Sequence, residues 1–265
     1  MKTIDDIEKH FNQMVKRIYS GKLQTHEIDA ELTTFVSSNL LKGVQTGYGK
    51  DLNGIDYTTT DGDMLNHLQK NVWLFGGAKV WNQQQEMSNM ITDDEGKVKP
   101  FNQFKAEVLE VYERYNATWL AAEYNHAVAS SQMAATWVRI NEDKDVYPNL
   151  RYQTIRDNHV RPEHQALEGV TKPINDSFWN KYYPPNGWGC RCDVIQVGGD
   201  VKITADEKIK YPADAPKIFQ TNCAKQKIVY PNEHPYFKNL PAGELEEIQK
   251  QVEAFAKDYD KKEKN

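Results

Sequence analysis

The chain has 265 residues, 39% hydrophobic and 27% charged, with 33 basic against 38 acidic side chains and a formal net charge of −5. Six Trp, fourteen Tyr and nine Phe exclude wholesale disorder, because disordered chains are poor in aromatics. The acidic balance offers no basic footprint for nucleic acid, no run approaches the ~18 apolar residues of a membrane span, and an odd number of cysteines is no secreted disulfide framework.

The length suits one large domain or two ordinary ones. The acidic, amphipathic N-terminus does not resemble a signal peptide, and a reducing cytoplasm is the expected compartment. Residues 3–19 are expected to form an amphipathic helix, with Thr3 as N-cap, Asp6 three positions on, and Ile4, Ile7, Phe11, Met14, Val15 and Ile18 on one face. Thr25 is expected to open a second helix running to about Leu41, and the glycine-rich residues 43–63 to form a long connection. Asp63 should start a third helix that reaches about Ile91, with a possible break at Gly76-Gly77. A turn at 92–100, a helix at 101–115 and an alanine-rich helix at 117–141 follow.

His126 has no Cys, Asp or second His three or four residues away, and both it and His67 are expected to be ordinary histidines with one partner. Trp73, Phe75, Trp81, Met87, Trp119, Met133 and Trp137 are expected in the core. Beyond Pro148 the pattern changes to short strands at 151–156, 190–197 and 227–230, with a short helix at 204–210 and a last one from Pro241 to about Tyr259. The expected fold class is therefore α+β: a helical scaffold over 1–148, a small mixed domain over 149–240, and a C-terminal helix and tail over 241–265.

The densest stretch, Arg151 to Val197, holds two of the seven histidines, two of the three cysteines and two of the six tryptophans. Charges balance over residues 151–200: Arg151, Arg156, Arg161, Lys172, Lys181 and Arg191 oppose Asp157, Glu163, Glu168, Asp176, Asp193 and Asp200. Two chemistries fit it. In one, His164, Cys190 and Cys192 hold a structural zinc, the C-x-C lying on a strand so that both thiols share a face. A fourth ligand would come from His159, Asp157, Cys223 or His234, and the sequence does not choose; the alternative is a pair of inert thiols. In the other, Asp157, His159, Arg161 and His164 form a nucleolytic or hydrolytic site, against which stands the common use of Arg, His and Asp to fix loops. Pro184-Pro185-Asn186-Gly187 should be a rigid turn, with glycine at a positive φ. Trp179, Tyr182, Tyr183 and Trp188 around it supply apolar area, and Asp176 should cap a short helical turn.

The string Tyr152-x-Thr154, Asp157, Val160-Arg161-Pro162-x-His164, Leu167-x-Gly169, Asp176-x-Phe178-Trp179 and Pro184-Pro185-Asn186-Gly187-Trp188-x-Cys190-Arg191-Cys192 resembles the phage Mu protein F-like family of minor head, or head morphogenesis, proteins. The likeness extends to Gly47-Tyr48-Gly49-Lys50, Asp56-Tyr57, Asn116-x-x-Trp119, the Ala127-to-Trp137 helix and Asn232-x-His234-Pro235-Tyr236-Phe237, and is strongest to the branch in phages and integrated elements of Bacteroidetes. The resemblance implies a non-enzymatic virion protein at the capsid interior or portal vertex, made in the host cytoplasm, with the portal and other head proteins as partners. Membrane is not implied, and DNA contact is unsupported by charge. The alternative is a nuclease-type effector using His159, Arg161 and His164. Within the resemblance, Asp157, Arg161, His164, Gly169, Trp179, Pro185, Gly187 and Trp188 form a structural motif cluster. Many relatives have Cys-Pro-x-Cys where this chain has Arg161-Pro162-Glu163-His164, and His-Pro-Asn-Cys-x-Cys where it has Gly187-Trp188-Gly189-Cys190-Arg191-Cys192. Either a site survives on His164, Cys190 and Cys192, or a polar network centred on Arg161 replaces the metal.

Overall fold

Amphipathic spacing builds the first helices. A computed structural model describes residues 4–24, 26–50, 55–212 and 216–263, with side chains from residue 6 onward; the expected caps Thr3 and Thr25 lie outside the described residues. The elements are α1 (Ile4–Tyr19), α2 (Ala30–Tyr48), α3 (Thr60–Ser88), α4 (Phe101–Glu107), α5 (Leu109–Tyr112), a π-helical stretch (Glu113–Trp119) and α6 (Leu120–Glu142). Then follow β1 (Asn149–Gln153), α7 (Pro162–Gln165), β2 (Thr171–Pro173), α8 (Phe178–Tyr182), β3 (Asp193–Val197), α9 (Cys223–Gln226), α10 (Pro235–Lys238) and α11 (Glu244–Glu263). The chain is α+β: among the described residues it is helical with one small antiparallel sheet of order β2-β1-β3. No described helix is long and apolar enough to cross a membrane.

Two compact units are interleaved in sequence. The first comprises Met1–Lys42, Lys70–Tyr124 and His234–Asn265; the second comprises Gly43–Gln69 and Asn125–Glu233. In the first, Phe11, Met14, Leu32, Val36, Phe75 and Phe104 are buried, and Ile28, Trp73, Trp81, Ile248 and Val252 form a continuous apolar cluster. The helix α3 is unbroken at Gly76-Gly77, contrary to expectation. A Cβ at Gly76 would sit 2.1 Å from the Ser37 hydroxyl, and one at Gly77 would sit 2.6 Å from Val252 and 2.7 Å from Ile248. These glycines serve helix packing, and packing outweighs their modest helix cost.

Packing also sets the extent of α2. It starts at Ala30, where the Asp29 carboxylate accepts the Leu32 N–H at 3.0 Å, and it continues through Gly43 and Gly47 to Tyr48. A Cβ at Gly47 would lie 2.0 Å from the Val128 carbonyl of α6, so glycine here marks a close helix approach rather than a turn. The expected separate helices at 101–115 and 117–141 are instead joined by the π-helical stretch. Trp119 is 38% exposed and not a core residue, while Trp137 is half-buried against Tyr183, ring centroids 5.0 Å apart.

In the second unit β1 pairs Leu150 with Lys172 of β2 and with Gln196 of β3, and Tyr152 with Val194. Leu150, Tyr152 and Val194 are buried and Ile195 is exposed, as strand alternation requires. The strand expected at 190–197 begins only at Asp193, and that expected at 227–230 is replaced by the αL cap of α9 at Lys227. The helix expected at 204–210 is a single 3₁₀ turn, Asp206–Lys208.

Candidate functional site

The motif string folds around β1 and α7. Arg161 is extended and Pro162 occupies the first turn of α7, which suits proline because that N–H needs no helical partner. His164, on the last turn, is buried and points to the loop before β3. Cys190 and Cys192 lie in that loop and not on a strand, so strand alternation is not what puts the two thiols together. Their convergence is real all the same: His164 Nδ1 is 3.8 Å from Cys190 Sγ and 3.5 Å from Cys192 Sγ, and the three ligand atoms lie within 4.8 Å of one another.

The opposite ring nitrogen, Nε2, lies 3.3 Å from the Asn186 carbonyl. A carbonyl can only accept, so this bond places a proton on Nε2 and turns Nδ1 toward the sulfurs. Asn186 is itself pinned: its Oδ1 accepts the Tyr152 hydroxyl at 3.0 Å, and its amide donates to the carbonyls of Lys181 (3.3 Å), Tyr183 (3.4 Å) and Phe219 (3.4 Å). This framing role of Asn186 went unread in the sequence, where it registers only as a turn residue.

Electrostatics follow the same contacts. The Cys192 thiol, donating to Cys190, and the nearby His164 bring Cys190 down to about 4, while the charge so created pushes Cys192 upward. Burial pulls His164 down, yet the hydrogen bond and charge of Cys190 outweigh it and leave the imidazole raised. A soft, two-sulfur and one-imidazole donor set suits a tetrahedral zinc and fits neither calcium nor magnesium, which prefer oxygen.

The other motif residues form a frame. Arg161 donates to the Trp188 carbonyl, and its Nη1 would be 2.2 Å from a Cβ at Gly187. Gly187 is thus required by the guanidinium and not by a positive φ; Gly189, at φ +65°, takes that role. Gly169, at φ +77°, donates its N–H to the Tyr152 carbonyl at 2.9 Å. Glu168 accepts the Thr154 N–H at 2.6 Å and Arg156 Nε at 2.9 Å. Asp157 and Arg191 form a two-bond fork at 2.6 and 3.0 Å, which holds the Asp157 carboxyl below its ordinary range. Asp176 accepts the Phe178 N–H at 2.8 Å, Trp179 is fully buried, and Pro185 is buried within the turn.

The candidate acid, base and clamp, His159, Arg161 and His164, line one cleft, but two of the three are already engaged. Arg161 is engaged with Trp188, and His164 with Asn186 and the sulfurs. His159 is exposed, while its backbone N–H is bonded to Asp157 Oδ1 at 2.9 Å. Cys223 is buried elsewhere, its Sγ 3.4 Å from the Ser130 carbonyl, and burial raises it to about 12. His234 lies in the first unit, where its Nδ1 accepts the Tyr236 N–H at 3.2 Å. His126 is buried at ring distances of 5.1, 5.6 and 5.8 Å from Trp188, Phe219 and Tyr230, and burial lowers it to about 4. His67 is exposed and hydrogen-bonds the Asp63 carbonyl at 2.8 Å.

Residues 81–195, which include this whole frame, match the family described as Phage Mu protein F like protein, and the family read from the motif string is borne out over that stretch. Among curated relatives, the chain is 37% identical over 75 residues to the putative capsid assembly protein F of Escherichia phage Mu, covering 28% of this chain and 17% of that protein. It is 41% identical over 61 residues to the Mu-like prophage FluMu F protein of Haemophilus influenzae, covering 23% of this chain and 15% of that protein. The matched stretches thus span about a sixth of these relatives. No solved structure matches.

Proposed function

We propose that this protein is a non-enzymatic minor head protein of a tailed phage or prophage, acting with the portal in head morphogenesis and in genome packaging or delivery. The observation that carries the proposal is the match of residues 81–195 to the Mu F-like family, with a relative named as a capsid assembly protein. The site agrees with that reading. Asp157, Arg161, His164, Gly169, Trp179, Pro185, Gly187 and Trp188 act as a structural cluster, because Arg161 and His164 bond backbone carbonyls and Asp157 holds the His159 N–H and Arg191. Location follows from the role: the capsid interior or portal vertex, after synthesis in the host cytoplasm.

The test is a pull-down from cells carrying the whole genomic neighbourhood, with partners identified by mass spectrometry and a parallel inventory of procapsids and virions. Portal and capsid proteins are the expected partners. Absence of the chain from both particles overturns the proposal. Arg161→Ala combined with His164→Ala gives a second reading: a structural cluster loses thermal stability, whereas a nucleolytic one loses cleavage while staying folded.

A further inference from the structure

A donor set remains in the second unit that the head-assembly reading does not use. We propose that His164, Cys190 and Cys192 bind one zinc ion and that His159 completes its coordination. The inference stands apart from the head-assembly reading and survives or fails without it.

Three observations carry it. Zinc bonds of ~2.3 Å to sulfur and ~2.0 Å to nitrogen at a tetrahedral angle place sulfur about 3.6 Å from nitrogen. The structure has 3.5 and 3.8 Å between His164 Nδ1 and the two sulfurs. The imidazole is also oriented for the task, since Nε2 faces the Asn186 carbonyl at 3.3 Å and Nδ1 faces the thiols. Metal-binding histidines are held in this way, the second nitrogen donating to a carbonyl or carboxylate.

The third observation selects the fourth ligand. Beside the cluster is a cleft of 210 Å³ lined by Ile155, His159, Val160, Arg161, His164, Gly189, Cys190, Arg191 and Cys192. His159 is the one side chain in that lining, beyond the three, that offers a zinc donor. Of the other candidates, Asp157 is occupied by Arg191 and Cys223 is buried against Ser130. The imidazole of His159 is not within the 4.8 Å group, so binding draws in the exposed segment 155–159. The balance is simple: two thiols lose their protons to solvent, and two thiolates with two neutral imidazoles leave the Zn²⁺ centre uncharged. The bound ion would cross-link α7, the loop before β3 and the loop after β1.

The experiment uses the full chain without a His-tag, purified without chelator and analysed for metals, then stripped and loaded with Co²⁺ as a spectroscopic probe. About one equivalent of zinc and a thiolate-to-cobalt charge-transfer band are expected. Cys190→Ser with Cys192→Ser abolishes both. His159→Ala keeps the charge-transfer band, shifts the cobalt d–d bands and weakens zinc binding by on the order of tenfold or more. Wild-type protein that takes up no zinc and gives no charge-transfer band overturns the site, whatever the variants do. Unchanged d–d bands in His159→Ala overturn the assignment of the fourth ligand.

Discussion

The two units bury polar chemistry in opposite ways. In the first, Lys79 is fully buried and donates to both oxygens of Glu123 at 2.9 and 2.7 Å; Glu123 also accepts the Tyr236 hydroxyl at 3.0 Å. The Lys79 ammonium lies 5.6 and 5.5 Å from the Tyr115 and Tyr236 rings. This network is closed, with every charge answered by the chain itself. In the second unit, His164, Cys190 and Cys192 face one another with donor atoms converging on a point and a cleft alongside. A closed network fixes a core. A convergent one has room for a guest.

The largest effect is expected from breaking the closed network. Glu123→Gln leaves the Lys79 ammonium buried without a counter-charge and should cost about 3–5 kcal/mol in urea denaturation. Lys79→Met with Glu123→Leu should cost less than the single change, because no charge is then stranded.

Next comes the buried neutral histidine of the second unit. Burial holds His126 at about 4 against an unfolded value near 6.5. The folded state therefore binds fewer protons, and stability falls as pH drops below about 6.5 until the folded value is reached. Between pH 7 and pH 5 the wild type should lose about 2 kcal/mol more than His126→Phe, read as paired denaturation midpoints. An equal loss in both would show that His126 does not govern the acid limb.

Smaller again is Gly187→Ala. Its Cβ would meet the flexible end of Arg161 and not backbone, so the guanidinium swings away from the Trp188 carbonyl at a cost of about 1–2 kcal/mol. Arg191→Ala breaks an exposed fork with Asp157 and should leave the melting temperature unchanged within error, since exposed ion pairs contribute little. A large loss there would mean that the fork holds the cleft wall in place.

Elements set by local spacing are legible in the sequence, and those set by distant partners are not. Helices α1 and α11 were legible because their apolar positions repeat on one face. The convergence of His164 with Cys190 and Cys192 was legible from residue type, although its premise was not: the thiols share a loop, and α7 brings the histidine to them. Gly47, Gly76 and Gly77 misled, because a glycine chosen for close helix contact looks the same in sequence as one chosen for a turn. The Lys79–Glu123 pair, 44 residues apart, had only one local sign, a lysine inside the apolar run Trp73–Trp81. The three-residue strand β2 had none, since its existence depends on β1 as a partner. Asn186 likewise acquires meaning only once Tyr152, His164 and three carbonyls surround it.

The most direct test of the contrast between a closed and a convergent centre is amide hydrogen exchange on the full chain with and without a zinc chelator. The account predicts that chelation lowers protection across residues 154–165 and 186–195 and leaves 75–87 and 120–124 unchanged. Identical protection in both conditions, or loss spread equally over both regions, would contradict it.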